Sequence, residues 1–341
     1  MIKNLPKTSV CSRLTNLQYL KLLILVFVQF LFVSTYAQVN SYTLSSTTYT
    51  GAYQVLSGTG SEAVTQLYAA GSNVDSGISV VPIPFSFNFN GKLYTSINIS
   101  VNGFVTFGAV SPGLQDITPI SSTTNYDAVI APYAWDLDLL PASTTLNNIS
   151  YQTSGTIAGS RIFKVQWRVR RSNNLGTAAP ADTGTNELVF QAWFYETSNI
   201  VQFQYNTFSP LSNNQSVSTG QVGLRGQSNL DFSNLVMPLG TSFPSAASLP
   251  FGAAATDVVN LSPNNLGGAL SSSTIPAAAR RIYTWTPPTC FAPTNIVMSN
   301  VLVNTATVSF VAPAPAPASY SYEVRISGLP EIGRASCRER V

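Results

Sequence analysis

The run Pro84-Phe85-Ser86-Phe87-Asn88-Phe89 carries a phenylalanine at every second position and closes on Asn90-Gly91. A period of two puts all three rings on one side of an extended strand. Asn-Gly is the dipeptide favoured by a two-residue hairpin turn, because both of its central residues need positive φ. Residues 93–99 then return as the partner strand. The chain is committed to antiparallel sheet with one apolar face, and such a face needs a second layer to cover it.

A second Asn-Gly, at Asn102-Gly103, precedes Phe104-Val105-Thr106-Phe107-Gly108, and strand-like runs recur at 128–130, 149–153, 161–170, 187–196, 200–206, 221–225 and 281–286. So many strands predict two packed sheets. The expected fold is all-β, with a large antiparallel, jelly-roll-like β-sandwich over residues 38–286. The apolar runs are built from Val, Ile, Tyr, Phe and Thr, residues that suit a half-buried pleated surface. Only residues 62–70, EAVTQLYAA, have the composition of a short helix. Residues 173–186, 209–219 and 242–275 read as long polar loops, either solvated connectors or rim loops that carry binding residues.

The two ends differ from the body. Residues 1–21 hold four basic residues and no acid, and the apolar run LLILVFVQFLFV comes next, ending in Ser34-Thr35-Tyr36-Ala37-Gln38. This twelve-residue run, apolar but for Gln29, is short of the roughly 20 a membrane-spanning helix needs. The pattern predicts a signal peptide over residues 1–37 cleaved after Ala37, with a retained anchor as the alternative. Residues 331–341, EIGRASCRERV, concentrate three Arg and two Glu in a chain otherwise poor in charge, and resemble a translated sequencing adapter. On that reading the chain is a fragment.

Setting both ends aside reduces the 17 basic and 14 acidic residues of the whole chain to ten and twelve. The apparent positive charge disappears, and with it any basic face for phosphates, so nucleic acid is not an expected partner. Of three cysteines, Cys11 lies in the leader and Cys337 in the tail, which leaves Cys290. Its partner is either encoded further on or absent.

Residues 287–293, PPTCFAP, form a proline-stiffened linker to a new unit over residues 294–330. Three strand-like pieces, Thr294-Asn295-Ile296-Val297-Met298, Ala306-Thr307-Val308-Ser309-Phe310 and Ser321-Tyr322-Glu323-Val324-Arg325-Ile326, flank a proline-alanine stretch. They resemble the start of a fibronectin type III domain, an immunoglobulin-like sandwich, here truncated and with Phe310 where that family commonly has Trp. Three strands of such a sandwich leave the apolar face open and do not fold alone.

In the large domain, PFSFNFNGKLYTSINISVNGFVTFG, VIAPYAWDLDL, ISYQ, FKVQW, LVFQAWFYETSNIVQFQY and VGLRG succeed one another between Pro84 and Gly226. This order resembles the nidogen-type extracellular sandwich, and the large N-terminal domains that precede fibronectin type III repeats on secreted Bacteroidetes proteins. The resemblance implies an adhesive or multidomain surface protein without family-wide catalytic residues. Proteins of that layout end in a sorting domain, so attachment to the outer-membrane surface would run through a missing C-terminal region.

The chain contains no histidine. That removes Ser-His-Asp and Cys-His arrangements, His-ligated zinc and the commonest general base. Asp136 and Asp138 are the only tight acidic pair in the large domain. On a strand they share a face, where they suit a turn cap beside Trp135, a calcium ion held by oxygen ligands, or, least of all, paired-carboxylate hydrolysis. Among Tyr133, Trp135, Trp167, Trp193, Phe194, Tyr195 and Trp285 lies either core or a sugar-stacking platform. Alternation puts Arg168 and Arg170 of the Arg168-Arg170-Arg171 cluster on a solvated face.

These features predict a secreted or cell-surface protein, non-catalytic within this fragment. The sandwich would bind an extracellular glycan or protein, and the fibronectin-like unit would act as a spacer. The alternative is an accessory module of an exported hydrolase whose catalytic domain lies downstream.

Overall fold

The computed structural model describes residues 39–49, 53–68, 74–139, 149–171, 188–208, 221–234, 280–291, 293–300, 307–314 and 316. The expected leader, the three long loops, the strand expected at 321–326 and the tail lie outside the described residues.

The described strands are β1 (Thr43–Tyr49), β2 (Thr65–Gln66), β3 (Ile78–Phe89), β4 (Lys92–Ser100), β5 (Phe104–Phe107), β6 (Ala128–Ala134), β7 (Leu137–Asp138) and β8 (Ile149–Ser154). They continue as β9 (Ile162–Arg171), β10 (Leu188–Tyr195), β11 (Val201–Phe208), β12 (Gln221–Arg225), β13 (Phe232–Asn234), β14 (Arg280–Thr286), β15 (Thr294–Ser299) and β16 (Thr307–Val311). An eight-stranded sheet runs in the order β1-β14-β11-β10-β9-β8-β2, with β7 also on β9, and a six-stranded sheet runs β13-β12-β6-β5-β4-β3. The protein is all-β, with antiparallel sheets packed as sandwich layers, as expected.

Both Asn-Gly turns form. Asn90 and Gly91 sit at φ 54° and 80° between β3 and β4, the positive pair that matches the right-handed twist of the strands. Gly103 has φ 78° and packs so closely that a Cβ there would run into the Tyr133 carbonyl oxygen. β3 lies at a sheet edge, where Pro82 and Pro84 cost no ladder bond, and its register with β4 slips between Pro82 and Phe87.

The alternation places Phe85, Phe87 and Phe89 inside, with Phe87 stacked on Phe107 at 6.0 Å and edge-on to Phe194 of the facing sheet at 5.3 Å. Three aromatic side chains also reach across the gap with their polar ends. Trp167 Nε1 on β9 donates to the Ser100 carbonyl (2.8 Å), Tyr205 Oη on β11 to the Pro132 carbonyl (2.6 Å), and Trp285 Nε1 on β14 to Ser233 Oγ (3.1 Å). Each buries a large ring and satisfies its own donor, and the three together fix how one sheet sits over the other.

A smaller apolar cluster of Phe104, Ile120, Tyr126, Val129, Ala131, Ala134 and Phe232 occupies the opposite side of the six-stranded sheet. Residues 109–127 cover it, so every residue of β6 is buried. Arg225 organises this cover. Its Nη1 donates to the Pro119 and Ser122 carbonyls at 2.8 Å each and its Nη2 to Thr124 at 2.7 Å, while its guanidinium lies 5.5 Å over the Tyr126 ring.

The helix expected within residues 62–70 is not seen among those of them described. Gly60–Glu62 is one 3₁₀ turn, and Thr65–Gln66 instead pairs with β8. The edge donors of β8 outcompete local propensity, and Leu67 N–H extends the contact to the Ile149 carbonyl (2.9 Å).

After β14 the linker does more than hold two units apart. Phe291 is buried, its ring 6.1 Å from Tyr42. Ala314 N–H donates to the Gly91 carbonyl (3.1 Å), and Asn88 Nδ2 donates to the Ala314 carbonyl. The two-stranded sheet β15-β16 is therefore tied to the first hairpin turn of the sandwich. Cys290 is disulfide-bonded, which sets aside one of the two alternatives, that of a thiol without a partner.

Candidate functional site

β6 ends at Ala134, and residues 135–136 bend before β7 pairs Leu137 with Arg171 and Asp138 with Arg170 on β9. Asp136 thus sits in the bend and Asp138 on β7, instead of both lying on one strand. Asn102 determines that bend. Its carbonyl accepts the Trp135 N–H and its Oδ1 the Leu137 N–H, both at 3.1 Å, while its Nδ2 donates to the Leu114 and Asp116 carbonyls. A buried amide in a turn thus ties three segments together, a role that Asn-Gly as a turn signal did not reveal.

Leu139 N–H donates to the Val74 carbonyl (2.9 Å), which brings residues 74–75 alongside the bend. One carboxylate oxygen each from Asp75, Asp136 and Asp138 then lie within 4.8 Å of one another. Asp75 is exposed, Asp136 half-buried and Asp138 buried. Burial, and secondarily the charge of Asp75, hold the Asp136 carboxyl above its ordinary pKa. Three hard oxygen donors at this spacing suit a calcium ion, which completes its shell of six to eight with carbonyls and water. Sequence reasoning found two of the three; Asp75 lies too far upstream for spacing to betray it.

The aromatic set divides cleanly. Tyr133, Trp167, Phe194 and Trp285 are core, and Trp135 packs half-buried against that core. Trp193 and Tyr195 stand on the outer face of the eight-stranded sheet. There Lys164 Nζ lies 4.1 Å over the Trp193 ring, and the indole Nε1 donates to Gln191 Oε1 (2.6 Å). Tyr195 Oη donates to Gln202 Oε1 (3.0 Å), and Gln202 Nε2 donates to Thr284 Oγ1 (3.1 Å). Burial lowers the Lys164 pKa, against a smaller opposing pull from Glu62. Arg168 is half-buried on this same face; the side chains of Arg170 and Arg171 lie outside the described residues.

A family model described as NIDO related matches residues 41–287. The chain belongs to the NIDO-related family. The match begins just ahead of β1 and ends one residue past β14, so the NIDO-related domain is the two-sheet sandwich, and β15-β16 lies beyond it. No curated protein and no solved structure matches the chain. A NIDO-related domain is a binding module of extracellular type. Among the described residues no helix is long and apolar enough to cross a membrane.

Proposed function

We propose that this chain is a secreted or cell-surface, non-catalytic binding protein. Its NIDO-related sandwich engages an extracellular glycan or protein, and the unit that begins at Thr294, with its likeness to fibronectin type III, acts as a spacer behind that head. The observation that carries this reading is the family match over the sandwich; a sequence without histidine supports it. The order of motifs between Pro84 and Gly226 supports an origin among secreted multidomain surface proteins of Bacteroidetes type. Glycan-array and surface-adhesion assays on the chain freed of residues 1–37 test it. Retention on a glycan or protein surface is expected, and absence of binding in every assay refutes it. A catalytic domain in the same protein would recast the sandwich as an accessory module of an exported hydrolase.

Calcium is part of the same proposal, because the fold adds Asp75 to the two carboxylates singled out in sequence. Calcium at a hundredfold its dissociation constant is expected to stabilise by about 2.7 kcal/mol, and each kcal/mol moves the midpoint of a domain this size by about 2–4 °C. A melting temperature unchanged by chelator rules the site out. The pH dependence supplies a second check. With its folded pKa raised, Asp136 contributes stability that is fully present below its unfolded pKa and is lost as pH climbs through the elevated value. Calcium is expected to abolish that loss.

A further inference from the structure

The outer face of the eight-stranded sheet carries two continuous cross-strand rows. One runs Ser150, Gln166, Gln191, Gln204 across β8 to β11. Beside it runs Gln152, Lys164, Trp193, Gln202, Thr284, ending at Ser45 on β1. Apart from Lys164 these side chains are uncharged, and the amides and hydroxyls each both donate and accept hydrogen bonds.

One end of the face already grips a stretch of backbone. Gln191 Nε2 donates to the Gln54 carbonyl (2.9 Å), Gln166 Oε1 accepts the Leu56 N–H (3.3 Å), and Gln152 Nε2 donates to the Ser57 and Glu62 carbonyls (2.7 Å each). Residues 54–62 thus lie over the β8–β10 end of the rows, held by amides. Toward β11 and β14 the second row passes Trp193, Gln202 and Thr284, and Tyr195 stands next to Trp193 on β10, the two rings 6.3 Å apart and tilted by 42°.

We infer that this second half of the face, around Trp193, Tyr195, Gln202 and Thr284, binds a neutral carbohydrate chain laid across the strands. The inference rests on the reading of the chain as a binding protein. Rings supply flat apolar surface for the C–H faces of sugars, and neutral amides and hydroxyls match their hydroxyl groups. The ammonium of Lys164 is engaged with the indole, so the patch presents no cluster of charge for an anionic ligand. Among the exposed described residues no large aliphatic side chain lies on either row, so the two rings stand among amides and hydroxyls, groups that pair with the hydroxyls of a sugar.

The test compares the chain with its Trp193→Ala and Gln202→Ala variants on a panel of neutral polysaccharides, by affinity electrophoresis and by quenching or shift of tryptophan fluorescence. Truncating a central aromatic anchor is expected to weaken binding about tenfold or more, and Gln202→Ala to weaken it less, with melting temperatures retained. Glycan binding by the parent that both variants keep would move the site elsewhere and overturn this inference, leaving the binding reading intact. Binding to a protein surface without any to glycans would overturn it as well. Failure of every surface, glycan and protein alike, would instead remove the underlying reading.

Discussion

Trp167→Ala is expected to cost about 3–5 kcal/mol of folding stability. The indole is fully buried in the middle of the sandwich and stacked on Phe190 with ring centres 5.4 Å apart and planes 15° from parallel. Truncation empties that volume from a rigid place, because strands on both sides of β9 hold the backbone still. It also strands the Ser100 carbonyl, which the indole N–H satisfies from the opposite sheet. Domains of this kind are stable by only about 5–15 kcal/mol in total, so one substitution removes a large part. Denaturant unfolding measures it as a lowered midpoint at unchanged slope. Trp167→Phe separates the two contributions, since it keeps most of the ring and loses the bond. An alanine variant within about 1 kcal/mol of the parent would contradict the packing described.

Arg225→Met is expected to be nearly as damaging, for a different reason. The side chain is 1 % exposed, and its guanidinium supplies three backbone carbonyls of the cover over the six-stranded sheet. Burial lowers its pKa, an effect that the proximity of Tyr126 and Asp116 partly offsets. Methionine fills similar volume but leaves those carbonyls without donors, and breaking such a buried polar set typically costs about 3–5 kcal/mol. Lysine is not expected to rescue it, because a single ammonium lacks the planar fork that serves several acceptors at once. Amide exchange should localise the damage: the Ile120 N–H, now held by Gln221 Oε1 at 2.7 Å, loses protection while β9 and β10 keep theirs. Uniform loss across both sheets would mean that the cover is not a separate unit.

Strands that show one face to solvent were readable because their period is two: residues 84–89, 93–99 and 200–206 announce parts of the strands Ile78–Phe89, Lys92–Ser100 and Val201–Phe208. β6 was legible only as residues 128–130, since Ala131-Pro132-Tyr133-Ala134 does not alternate. It has no reason to, with the core on one side and residues 109–127 on the other. β1 escaped notice because TLSSTTY offers a single leucine, and it is held by pairing with β14, far away in the chain. The candidate metal residues were half legible. Asp136 and Asp138 stand out in sequence, whereas Asp75 joins them through one hydrogen bond between Leu139 and Val74. Trp193 and Tyr195 could not be separated from core tryptophans by letter alone; their place beside Gln191 and Gln202 on the outer face separates them.

The pairing of Thr43 with Thr286 sets the two ends of the sandwich side by side. A pull applied between those ends opens the ladder of β1 on β14 rung by rung, each bond breaking after the last. A pull that enters through the body of the domain and leaves along β14 must slide that strand past β1 and β11 together, so many bonds resist at once. Strung mid-chain between two anchors, the domain is a weak link under tension. Hung from its C-terminal end and gripping a surface with its own face, it holds.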